Sequence, residues 1–184
     1  MKTVIKLFAF SCAALIAGCS GSGDAAVTPS NEKQVRDGIS DSLTKLASNL
    51  PGSVYLSQRG PLDKVDHSLG PLWPDVKCKT GELRYTIAYW LKGANVSEEQ
   101  KYADLIVGVW ANKFGWAQDT SEPNPTAHTY TAPGGYRYTV AVDDSLPYRN
   151  RTAPAVWVHA ESPCMAKDVL TGDWMPETIG SPKS

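Results

Sequence analysis

Residues 82–91, Glu82-Leu83-Arg84-Tyr85-Thr86-Ile87-Ala88-Tyr89-Trp90-Leu91, decide the fold class. Leu83, Tyr85, Ile87, Tyr89 and Leu91 alternate with Arg84, Thr86, Ala88 and Trp90, and a period of two sends each set to its own face of a strand. The first set is apolar throughout and belongs in a core. The second mixes a guanidinium, a hydroxyl and an indole. A helix is expected just downstream. Ser97-Glu98-Glu99-Gln100 reads as a capping box, and Tyr102, Leu105, Ile106, Val109, Trp110 and Phe114 then recur at steps of three and four. Gly115 stands where a left-handed C-cap belongs.

Working outward, Val35, Ile39, Leu43, Leu46 and Leu50 stripe an earlier helix, with Ser30 or Asn31 to cap it and Pro51-Gly52 to stop it. Val54-Tyr55-Leu56 is a candidate short strand. Gly60-Pro61, Gly70-Pro71 and Trp73-Pro74 break residues 60–78 into loop. Residues 116–120, 127–132, 136–142 and 155–160 read as further strands, with a turn at Pro133-Gly134-Gly135 and a polar loop over 143–154. The expected class is α+β: an antiparallel sheet of about 4–5 strands with two amphipathic helices packed on one face. No internal repeat is present.

The first residues carry a different grammar. Lys2 and Lys6 precede an apolar run, residues 7–16, too short to span a bilayer. The run closes on Leu15-Ile16-Ala17-Gly18-Cys19, which reads as a bacterial lipobox. Residues 1–18 are then a lipoprotein signal peptide, Cys19 the lipidated residue and 19–30 a flexible tether of small polar residues. Residues 31–165 form a single α+β domain and 166–184 an irregular C-terminal tail. The plain alternative is an ordinary secretory signal with a chance cysteine. The lipobox reading places the chain at the cell membrane, lipid-anchored and facing the extracytoplasmic side.

Cysteine usage follows from that. Cys12 leaves with the signal and Cys19 carries lipid, so Cys78 and Cys164 remain as a pair expected to form a disulfide in an oxidising compartment. Closing a loop of about 85 residues is worth roughly 4–5 kcal/mol on the chain-entropy model. Two free thiols with a redox or metal role are the other possibility, but neither cysteine has a CxxC partner. Formal charge is −1 for the whole chain and −3 without residues 1–18. There is no basic field to draw nucleic acid.

Motifs for catalysis are weak. His159-Ala160-Glu161 and Pro163-Cys164 resemble the zinc-deaminase signature only superficially, because the gap between its halves and its second cysteine are both missing. His67, His128 and His159 are scattered, and Asp143-Asp144 more often caps a turn than binds a cation. The G-x-S-x-G nucleophile motif is absent. Glu98, Glu99, Asp104 and Glu161 are carboxylates of a kind usually solvated on helix and strand surfaces. No cofactor or metal is expected. Asn95-Val96-Ser97 and Asn150-Arg151-Thr152 match glycosylation sequons, which behind a lipobox are chance matches.

The mixed sheet face is the candidate binding surface. It gathers Arg84, Thr86, Trp90, Arg137, Thr139, Trp157 and His159, residue types that anchor interfaces and sugar-like ligands. The plainer and preferred reading is a half-buried face covered by the Pro-rich loop 60–78, with Trp73 packed onto it.

At Cys78, the strand 82–91, the Trp110 helix and the terminal Ser162-Pro163-Cys164, the chain resembles the small cell-surface lipoproteins of actinobacteria, including mycobacterial LppA-like ones. That resemblance implies a surface α+β domain, a Cys78–Cys164 disulfide and no activity or catalytic residues to carry over. The function expected is a lipid-anchored binding or interaction module whose partner is an envelope protein, a polysaccharide or a lipid. The alternatives are a small envelope hydrolase using paired carboxylates and a purely structural surface lipoprotein.

Overall fold

The computed structural model describes residue 29 and residues 31–60, 78–124, 126–143, 154–166 and 175–180. The signal peptide and Cys19 lie outside the described residues. So do most of the tether, Trp73 with loop residues 61–77, and Trp174.

Helix α1 (Glu32–Ala47) starts at Asn31, whose side chain accepts the Gln34 amide at 2.9 Å. Its apolar stripe is fully buried at Val35, Ile39, Leu43 and Leu46. Three strands follow: β1 (Tyr55–Ser57), β2 (Glu82–Leu83) and β3 (Thr86–Lys92). Helix α2 (Glu99–Gly108) runs into a five-residue π turn, Val109–Lys113. Then come β4 (Ala117–Asn124), β5 (Ala127–Thr131), β6 (Arg137–Val142), β7 (Val156–Glu161), β8 (Met165–Ala166) and β9 (Thr178–Ile179).

The main sheet is antiparallel at every pairing, in the order β4-β5-β6-β7-β3-β1-β9, and β2 pairs with β8 apart from it. The fold is therefore α+β with a large antiparallel sheet, of seven strands where about 4–5 were expected. Both helices bury their stripes in the same core cluster as Leu56, Ile87, Tyr89, Tyr138, Val140, Val158 and Ile179. Within it Trp110 is fully buried beside Trp116, Tyr130 and Tyr138, at centroid distances of 6.0, 5.7 and 6.1 Å.

Three local expectations are corrected. The strand 82–91 is broken at Arg84-Tyr85, because its neighbour there is Ser162-Pro163, and proline has no N–H to donate to a ladder. Ser162 replaces the missing ladder rung. Its Oγ accepts the Tyr85 amide at 2.9 Å, and its own amide donates to the Tyr85 carbonyl at 2.8 Å.

Asn95, not Ser97, opens the second helical segment. Its carboxamide oxygen accepts from both the amide and the hydroxyl of Ser97, at 3.1 and 3.0 Å, and a 3-10 turn at Val96–Glu98 precedes α2. Glu99 turns inward, where it accepts the Ala155 amide at 2.9 Å.

The third correction concerns the tail. Residues 175–180 are docked: β9 pairs with β1, Met175 and Ile179 are buried, and the Tyr89 hydroxyl donates to the Pro176 carbonyl at 2.7 Å. A two-residue strand is too short to carry a periodicity, so nothing local announces it.

Candidate functional site

Strand register assembles the mixed face. Across β1, β3, β7, β6 and β5, one row reads Ser57, Trp90, Trp157, Ala141 and Ala127. The next row is Ala88, His159, Thr139, Thr129 and, on β4, Asp119. A third is Thr86, Glu161, Arg137, Thr131 and Ala117. Trp90, Trp157, His159, Thr86 and Thr139 are all half-buried, while Ala88 and Ala141 are buried between them. The indole of Trp157 meets the His159 ring edge-on at 6.1 Å. The Thr129 and Thr139 hydroxyls are 2.8 Å apart.

Charges on this face form a network rather than isolated solvated groups. Glu161 Oε2 accepts from Arg84 Nη1 and, at 3.3 Å, from Arg137 Nη1. Arg137 Nη2 donates to Asp119 Oδ2 at 3.0 Å, so one planar guanidinium joins two carboxylates. His159 Nδ1 lies 3.5 Å from Glu161 Oε1. Arg84 is itself buried and also places Nη2 3.8 Å from Cys164 Sγ, at the Cys78–Cys164 disulfide whose Cα atoms are 5.7 Å apart. It thus stands among the supports of the face and not on its open surface.

Two carboxylates were absent from the expected surface set. Glu161, of a type usually solvated, is bound here by Arg84 and Arg137, and Asp119 by Arg137. The signal for Glu161 was available: it stands two residues after His159 on one strand and so shares its face. Asp119 becomes a neighbour only through the β4–β5–β6 pairings.

Burial lowers the His159 imidazole below its ordinary value, with Arg137 and Arg84 acting in the same direction against an opposing pull from Glu161. Burial disfavours the charged ring. The Asp119 carboxyl is held below the usual carboxylate range, chiefly by the hydroxyl and amide of Ser121, at 2.6 and 3.0 Å, with Arg137 adding to it. With His159 neutral, two arginines balance two carboxylates. The face can then offer flat aromatic surface, hydroxyls and a neutral imidazole. Lys92, on the same face, is buried and donates to the Gly60 carbonyl at 2.8 Å.

Among the described residues no three histidine, cysteine or acidic side chains come together as a metal site. No helix among them is long and apolar enough to cross a membrane. Comparison of the chain with protein-family models, curated proteins and solved structures finds no match.

Proposed function

We propose that this chain is a lipid-anchored, extracytoplasmic binding module of the bacterial cell envelope, which engages its partner on the sheet face around Trp90, Trp157 and His159. The observation that carries the reading is the division of labour across the sheet. Both helices bury their apolar stripes against one face, and the opposite face carries half-buried indoles over a charge-balanced Arg84–Glu161–Arg137–Asp119 network. Aromatic anchors supported by satisfied polar groups are the composition of a recognition surface.

The hydrolase alternative has one observation in its favour, the meeting of Asp119 and Glu161 on Arg137. A hydrolytic pair needs one carboxyl to deliver a proton and the other to reach water or substrate, whereas both of these are tied to the same Arg137 guanidinium, at 3.3 and 3.0 Å. The network therefore favours binding.

The test is photo-crosslinking in cells with the full chain, using a photoreactive residue at position 90 and, separately, at 157. A reproducible adduct with another envelope protein, a glycan or a lipid at both positions is the expected result. Crosslinks confined to the chain's own residues 60–78 would overturn the reading, because the face would then be an internal contact. The anchor is tested separately: Cys19→Ala is expected to move the chain out of the membrane fraction, and unchanged partitioning would remove the lipid from the account.

A further inference from the structure

A groove of about 420 Å³ lies on the helical side of the sheet, between α1 and the β5–β6 turn. Its two walls differ in chemistry. The helix wall presents Asp41, Ser42 and Lys45; the facing wall presents Phe114, Trp116 and Tyr136.

The aromatic wall is aimed by unusual backbone. The π turn at Val109–Lys113 closes with the Phe114 amide on the Val109 carbonyl at 3.1 Å. The Trp116 amide then reaches back to the Trp110 carbonyl at 3.0 Å, across Gly115 at φ +66°. Such turns widen a helix and are frequent at functional sites. Here the result is an indole stacked on Tyr138, with centroids 4.8 Å apart and planes 24° apart, and flanked by Phe114 at 5.1 Å. Trp116 is held as a rigid platform yet stays half-exposed to the groove.

Charge chooses the ligand class. Asp41 and Lys45 are exposed, one helical turn apart, and among the described residues neither is engaged in an ion pair. An anionic ligand would meet the Asp41 carboxylate, and a cationic one the Lys45 ammonium. A neutral ligand rich in hydroxyls can use both, because it accepts from Lys45 and donates to Asp41. If that ligand also has an apolar face, the face can lie on Trp116. We infer that the groove binds a neutral saccharide, one pyranose ring stacking on Trp116 while its hydroxyls reach Asp41, Ser42 and Lys45. Its volume falls within the ordinary range for small-ligand sites, roughly 300–1,000 Å³. None of these residues belongs to the sheet face proposed above, so the two sites stand or fall separately.

The experiment is calorimetric titration of the purified full chain with neutral oligosaccharides of glucose, mannose, galactose and N-acetylglucosamine. At least one is expected to bind. Asp41→Asn and Lys45→Gln, at exposed helix positions, are each expected to weaken that binding by about tenfold. Trp116→Leu is expected to abolish it. Three results would overturn the inference. One is that none of the oligosaccharides binds. Another is that both helix variants bind like the parent chain. The third is loss of binding in Trp90→Ala with retention in Asp41→Asn and Lys45→Gln, which would move the sugar to the sheet. The exposed helix variants decide the matter even if Trp116→Leu does not fold.

Discussion

His159 occupies a position where burial and two arginines oppose its protonation while Glu161 favours it, and the lowered pKa shows which side prevails. The sign of its effect on stability follows by linkage. In the unfolded chain the ring takes up its proton near pH 6.5, before the folded ring does, so stability from this group is present above about pH 6.5 and lost as pH falls below it. We expect the urea midpoint of the parent chain to fall between pH 7.5 and 5 (roughly one unit to either side of the histidine range) and the slope to flatten in His159→Gln. An unchanged slope would assign the acid sensitivity elsewhere. Asp119 acts in a separate and lower window: its depressed pKa supplies stability above the ordinary carboxylate range that is lost at more acid pH. Much of this site was legible one residue at a time. Alternation alone puts Trp90, Trp157, His159, Thr139 and Arg137 on one face, and the register sets Trp90 beside Trp157 and His159 beside Thr139. What alternation cannot supply is the neighbour across the strand, and so the Arg137 bridge between Glu161 and Asp119 was out of reach.

At the scale of elements, the contact between α1 and the start of β6 turns on one missing side chain. A Cβ on Gly38 would lie 2.7 Å from the Tyr136 hydroxyl oxygen and 2.9 Å from its Cζ, both far inside van der Waals contact. Alanine is the better helix former by about 1 kcal/mol, so propensity alone would make Gly38→Ala stabilising. The buried phenol reverses the sign. Overpacking of this kind costs about 1–3 kcal/mol, and we expect a net loss of stability by chemical denaturation, whereas the same Gly38→Ala change made in a Tyr136→Ala background is expected to cost little or nothing. A stabilised single variant would show that the ring moves aside freely. The helices themselves were legible because a 3.6-residue stripe needs ten or more residues to declare itself and both have them. Their ends were less so: Asn95 and Ser97 are both good caps, and the side chain that accepts is that of Asn95, while Glu99 reaches Ala155, far along the chain. The π turn has no sequence signature, since its extra residue is set by how Trp110 and Trp116 pack against Tyr138.

For the whole molecule, the Cys78–Cys164 bridge ties the residues just before β2 to those just before β8, 86 positions apart in sequence. Cys78→Ser with Cys164→Ser is expected to cost about 2–5 kcal/mol, read as a lower denaturation midpoint for the non-reduced chain. Equal midpoints for the parent and the double variant would show that the surrounding strands hold the geometry unaided. The cysteine pair and the α+β class were legible from counting and from alternation. The seventh strand was not, because β9 is two residues long and owes its place to Gln58, Tyr89 and the outer edge of β1. That pairing also has a consequence in time. Leu56 faces Ile179, so among the described residues the outer neighbour of β1 comes from residues 178–179. The outer edge of β1 is thus covered by a segment about 120 positions further along the chain, a long-range pairing of the kind that forms late in folding. Until those two residues dock, the β1 edge is open to any other strand that can pair with it.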